Sequence, residues 1–216
     1  RKQAGLPYVR VSPGFLYGAI NGGMDGGSFL EDALEWMQTV GSVKGSTVGP
    51  LDWRKGRQLM NNAAARAEAK DYRIIEAYEC PTFAHMASAL QLGYFIDEGL
   101  MWFDNFTPDR DTWLPARGSG QAGGHALAGY GLAYRNGAWG IMTRNSWSSQ
   151  WGAGGNCVIP ESLFDNRIGG FWAVRAVVQT NDANPIPVSQ NDLPAATLAR
   201  LNPIRGDTGL RHGLAW

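Results

Sequence analysis

Residues 123–155, GGHALAGYGLAYRNGAWGIMTRNSWSSQWGAGG, constrain this chain more than any other stretch. Two runs, HALAGYGLAY and AWGIMTR, alternate apolar residues with small or polar ones on either side of Arg135-Asn136-Gly137. Asn-Gly between two such runs is the strongest short-range hairpin signal, because both residues accept the positive φ of a type I′ turn. The hairpin predicts that His125, at the start of the first strand, comes back beside Asn145, just past the second. Trp147, two residues on, is then placed to cover a His–Asn contact from water. A histidine that exchanges a proton with a nucleophile needs its other ring nitrogen held, and an amide oxygen can hold it without adding charge. The pattern is one half of a nucleophile–His–Asn site.

The ordered elements His125-Ala126, Gly129-Tyr130-Gly131, Asn145-Ser146-Trp147 and Trp151-Gly152 resemble the C-terminal half of a papain-like cysteine peptidase. The resemblance covers roughly residues 8–178. It implies an α+β fold in two parts: a helical part over 1–93 that lacks its first central helix, and an antiparallel, β-barrel-like part over 94–180. A Pro-rich tail over 181–216 follows. It further implies His125 and Asn145 as catalytic residues, Trp147 as the shield, and Gly26, Gly27 and Gly124 as contacts for an extended peptide substrate. At Gly26-Gly27 the family's usual Cys-Asn is replaced by Met24-Asp25, and the plain alternative is a loop whose glycines serve positive φ.

The nucleophile is the missing member. In the family the cysteine precedes the histidine by ~130–150 residues, and counting back from His125 lands before Arg1. Independently, Arg1-Lys2-Gln3-Ala4-Gly5-Leu6-Pro7 reads as a helix ending, with cations, then Gly, then Pro. Both arguments place the nucleophile and the oxyanion-hole Gln on an upstream N-terminal segment, which becomes an expected partner. Cys80, in a Glu-Cys-Pro turn, and Cys157, in a strand, read as packing residues.

Composition excludes more than it selects. Lys plus Arg and Asp plus Glu stand at 19 each, so no general electrostatic grip on nucleic acid or an anionic membrane is expected. No apolar run approaches the ~18 residues of a membrane span, and a soluble protein is expected. Two cysteines are too few for a disulfide framework, which favours an intracellular or virion-associated setting. His85, His125 and His212 share no ligand spacing, so neither a metal nor another cofactor is expected.

Along the chain, Ser12-Pro13 opens a short helix, and Ser28 with Glu31 reads as a capping box for a helix ending at Gly41. Residues 43–60 are mixed and turn-rich and fix little, while 61–70 read as a short helix and Tyr72–Tyr78 as a strand. Thr82 caps a helix that ends at Gly93, and Tyr94–Phe103 is a strand. Beyond the hairpin, strands are expected at Cys157–Ile159 and Phe171–Val178. The tail carries Pro185, Pro187, Pro194 and Pro203 with few large apolar residues, and a protein neighbour is expected to hold it.

Three functions stay open. One is a Cys-His-Asn peptidase or amide hydrolase whose Cys lies upstream. Another is an inactive papain-fold component of a larger assembly, for example a virus particle. The third is acyl transfer on the same triad. In each, residues 1–216 alone are expected to be inactive.

Overall fold

The computed structural model describes residues 9–109, 111–178 and 202–203. These fall into two compact units. One holds the described residues up to Ala77 together with Arg175–Val178; the other holds Tyr78–Val174 with Asn202–Pro203.

The first unit is helical. Ser12 accepts from the Phe15 N–H and Pro13 occupies the first turn of α1 (Pro13–Ile20), as expected for a Ser-Pro start. Helix α2 is Leu30–Thr39. The capping box does not form: the N-cap is Phe29, which offers no side-chain cap, and Ser28 is buried in a β-bridge instead. The turn-rich reading of 43–60 also needs correction, since α3 (Trp53–Leu59) starts there on an Asp52 cap. Helix α4 (Ala63–Ala69) is capped by Asn62. Phe15 packs with Val43, Val48, Ala65 and Ala69 as the core of this unit.

The second unit is built on a sheet. Its strands are β1 (Arg73–Glu79), which enters it at Tyr78, β2 (Phe95–Phe103), β3 (Ala122–Arg135), β4 (Ala138–Arg144), β5 (Asn156–Pro160) and β6 (Arg167–Val178). They lie in the order β5-β4-β3-β2-β6-β1, and the β2–β3, β2–β6, β3–β4 and β4–β5 pairings are antiparallel. The α+β expectation is met, but not the barrel-like one, because the sheet stays open. One edge, β5, is strapped by residues 112–114 through Thr112 and Leu114; at the other, Asn202–Pro203 pairs with Tyr78–Glu79. The rest of the tail, and the start of the chain with its expected helix end, lie outside the described residues. Helix α5 (Phe83–Gln91), capped by Thr82, lies against β2 and β3 in this same unit. Among the described residues no helix is long and apolar enough to cross a membrane.

The hairpin turn is as the sequence requires, with Asn136 at φ 51° and Gly137 at φ 82°. The β3–β4 ladder then carries an irregularity. Register runs evenly from Arg135↔Ala138 to Gly131↔Met142, shifts by one at Tyr130, and resumes at Gly129↔Thr143 and Ala128↔Arg144. Tyr130 is therefore the extra residue of a β-bulge. Gly129 beside it has no room for a side chain, since a Cβ there would lie 2.6 Å from Glu98 Oε1 and 2.8 Å from Ile141 Cγ2.

Glu98 is the polar exception in a core of Ile96, Leu100, Leu127, Ile141 and Phe171. It is 1% exposed, and Thr143 Oγ1 donates to its Oε2 at 2.9 Å. Burial disfavours the carboxylate and pushes the pKa up to about 8, the Thr143 bond opposing it. An acid whose folded pKa lies above its unfolded one contributes stability that is complete below the unfolded pKa. That contribution is lost as pH rises through the folded pKa. The thermal midpoint is therefore expected to fall between pH 5 and pH 8.5, and Glu98→Gln to flatten that slope. A wild-type midpoint that climbs over this range as steeply as that of the variant would contradict the assignment.

Candidate active site

The bulge decides which residues meet. One residue past Ala128↔Arg144, the register sets Asn145 opposite Leu127, on the sheet face that Leu127 shares with His125. Without the shift, Asn145 would stand opposite Ala128 and turn to the other face. The Asn145 backbone is fixed by its N–H donating to the Gly155 carbonyl at 2.9 Å, and Arg144 reaches the Gly154 carbonyl. The glycines after Trp151 thus close the loop that presents Asn145.

His125 Nε2 and Asn145 Oδ1 are 3.0 Å apart, with the residues 6% and 2% exposed. An amide oxygen only accepts, so the ring nitrogen donates and Nε2 carries the proton. Nδ1 has no hydrogen-bond partner among the described residues. The Trp147 ring stacks on the imidazole at a centroid distance of 5.2 Å and 28° between planes. Trp102, from β2, meets it edge-on at 5.1 Å and 84°. Trp102 also contacts Trp147 and Trp151, so the pair sits in an aromatic box. No motif marks Trp102; its only signal in the sequence is its place in an apolar strand. Beside the box, a cavity of about 400 Å³ is lined by Trp102, Phe106, Trp147 and Trp151 with Asp104 and Gln121.

Burial lowers the pKa of His125, and the Asn145 bond offsets part of that by favouring the charged ring. Gly124 adjoins His125 on β3, opposite Met101. Gly26 and Gly27 lie in the first unit, in the loop before α2. His85 sits in the first turn of α5 with Nδ1 2.6 Å from Thr82 Oγ1, a capping contact; His212 lies outside the described residues. No cluster of three or more His, Cys, Asp or Glu suited to a metal ion occurs among the described residues.

The two thiols are buried and unpaired. Desolvation pushes both up to about 12, with the Glu98 charge adding to the effect at Cys157. A thiol in that state is neither a thiolate at neutral pH nor open to a substrate.

No family model and no curated protein sequence matches the chain; the similarity is to solved structures. Xylellain, a cysteine protease from Xylella fastidiosa, superposes with a TM-score of 0.62 at 18% identity, over 80% of this chain and 72% of that one. Digestive procathepsin L 3 of the Tenebrio molitor larval midgut gives 0.57 at 16%, over 82% of this chain and 58% of that one. Bromelain from Ananas comosus gives 0.53 at 16%, over 80% of each. At such identities what is shared is the fold. This chain has the papain-like fold.

Replacing Asn145 by Ala removes the contact that favours the charged imidazole while leaving the burial. The His125 titration, followed by NMR of the ring, is expected to move to lower pH in Asn145→Ala than in the wild type. An unchanged or upward shift would show that the 3.0 Å contact does not hold the ring.

Proposed function

We propose, on the premise of that papain-like fold, that the chain is the His/Asn-bearing part of a cysteine peptidase or amide hydrolase. The observation that carries this reading is a buried His125 held through Nε2 by Asn145, with Nδ1 left open beneath two tryptophans. The thiol comes from a cysteine outside residues 1–216, because Cys80 and Cys157 are buried with their thiols held at about 12.

A thiolate beside Nδ1 would reverse the effect of burial on His125, since an adjacent anion favours the imidazolium and the cation lowers the thiol pKa. In the reaction, sulfur bonds to the peptide carbonyl carbon and the carbonyl electrons move onto oxygen. As the tetrahedral adduct collapses, the C–N bond breaks and His125 Nδ1–H protonates the leaving amine. Water, deprotonated by His125, then cleaves the thioester and returns the acid. Asn145 keeps the ring oriented through both proton transfers, while Trp102 and Trp147 keep water off the Nε2–Oδ1 bond.

The buried state of both thiols equally favours a second reading, a papain-fold scaffold with no nucleophile. The two separate on a fluorogenic peptide assayed with residues 1–216 alone and with the native preceding segment, with and without an irreversible thiol-directed inhibitor. Inhibitor-sensitive turnover is expected only with that segment. His125→Ala should lower it by about 10²–10⁴-fold, the usual worth of a general acid–base, and Asn145→Ala by less. Turnover by 1–216 alone that disappears in Cys80→Ala or Cys157→Ala would overturn the external thiol. A folded protein that is inactive in both forms would favour the scaffold.

A further inference from the structure

The two carboxyl oxygens of Glu98 bracket one particular pair of the β3–β4 ladder. Oε2 lies 2.9 Å from Thr143 Oγ1, and Oε1 lies 2.6 Å from the place where a Gly129 side chain would begin. Gly129↔Thr143 is the pair at which the register resumes past the Tyr130 bulge, on the side of the ladder that leads to His125 and Asn145. Glu98 stands opposite Leu127 and Leu100 opposite His125, so Glu98, His125, Thr143 and Asn145 all belong to one face of the sheet. Asn145 follows Thr143 by two residues.

The hydrogen bonds around the carboxyl are complete in only one protonation state. Thr143 has a single hydroxyl proton and two acceptors in reach, Glu98 Oε2 and the Ile141 carbonyl at 3.2 Å. A protonated Glu98 gives its own proton to Thr143 Oγ1, and the hydroxyl is then free to bond to Ile141. An ionised Glu98 takes the Thr143 proton instead, as the single bond to its charge among the described residues. Water does not make up the deficit in place, because the void against the carboxyl holds about 10 Å³ and its other walls, Met86 and Phe171 among them, are apolar. Nor does a cation: Arg135 of β3 is paired with Asp109, Arg144 of β4 with the Gly154 carbonyl, Arg167 of β6 with Asp165, and His85 of α5 with Thr82. Asp97, beside Glu98 on β2, disfavours the charge, and the Cys157 thiol of β5, opposite Thr143, stays neutral and does not offset it.

We propose that Glu98 is a positioning residue for the His125–Asn145 pair: protonated, it holds Gly129↔Thr143 closed; ionised, it parts that pair to reach water and frees Asn145 from the ring. The contact is thereby switched off by alkali through a residue that bonds to neither member of it. Nothing in this depends on which nucleophile, if any, faces His125. The sign follows from burial: the arrangement is complete while Glu98 keeps its proton and is lost as pH rises through about 8.

Carbon-13 NMR of the full-length protein tests this through three signals that base-catalysed exchange does not erase: the Glu98 carboxyl carbon, the Gly129 α-carbon and the Asn145 side-chain amide carbon. As pH is raised from about 6 to about 10, all three are expected to change at one midpoint, with the far-UV circular dichroism unchanged. Glu98→Gln keeps the shape and donates to Thr143 at every pH, so Gly129 and Asn145 should lose that midpoint. Any titration of His125 itself is common to both proteins and cancels in the comparison. Thr143→Val removes the one bond to the charged form, so the carboxyl, Gly129 and Asn145 midpoints should rise together. Should Glu98→Gln fail to fold, the joint or separate movement of the midpoints in Thr143→Val decides the matter alone. A carboxyl that titrates without Gly129 and Asn145 following, or an alkaline change in Glu98→Gln equal to that of the wild type, would overturn the proposal. So would a Glu98 that is ionised over the whole range, or loss of the circular dichroism at the shared midpoint, since the change would then be global.

Discussion

Everything distinctive about the second unit depends on one extra residue in a β-ladder. Tyr130 is left unpaired between Gly131↔Met142 and Gly129↔Thr143, and that shift turns Asn145 to the face that carries His125. Next to the bulge, the Glu98 carboxyl and Ile141 occupy the space where a Gly129 side chain would stand, so that position admits only glycine. The buried acid, the side-chain-free position and the bulged tyrosine are therefore one arrangement. Its product is a histidine and an asparagine 3.0 Å apart, twenty residues separated in sequence.

The electrostatics of the site follow from its walls. Trp147 and Trp102 exclude water from the imidazole, which disfavours charge on it, while Asn145 orients the ring without supplying a countercharge. In such surroundings an anion placed at Nδ1 would form a stronger ion pair with the charged ring than it would in water. The two cysteines of the chain show the opposite outcome. Buried, with no cation beside them among the described residues, they keep their protons.

The hairpin and the Ser12 and Thr82 helix starts were legible because each rests on local chemistry, a turn needing positive φ or a side chain that caps its own helix, while the approach of His125 and Asn145 was legible from the hairpin spacing and the Asn-Ser-Trp match. The bulge was not legible, since period-2 alternation through Gly129-Tyr130-Gly131 does not say which residue drops out of the ladder. Nothing in the sequence marks Glu98 as a buried acid; only the tertiary packing against Gly129 and Thr143 shows it. The Ser28–Glu31 spacing matches a capping box, yet a bridge at Ser28 moves the helix start by one residue. Closure of the sheet came with the resemblance rather than from any residue, since alternation reports two faces, not whether the edges meet. Trp102 comes from a strand more than twenty residues before His125 and reaches the ring only through the β2–β3 register, where Leu100 stands opposite His125.

The central claim is that His125 presents a bare Nδ1 because Asn145 holds its Nε2–H. The nitrogen-15 shifts of the His125 ring, recorded above its titration, measure this directly. The account predicts a protonated, pyrrole-like Nε2 and an unprotonated, pyridine-like Nδ1, with the Nε2–H signal lost or broadened in Asn145→Ala. A neutral ring carrying its proton on Nδ1 would contradict it, because the basic nitrogen would then be Nε2, which faces Asn145 rather than the open side.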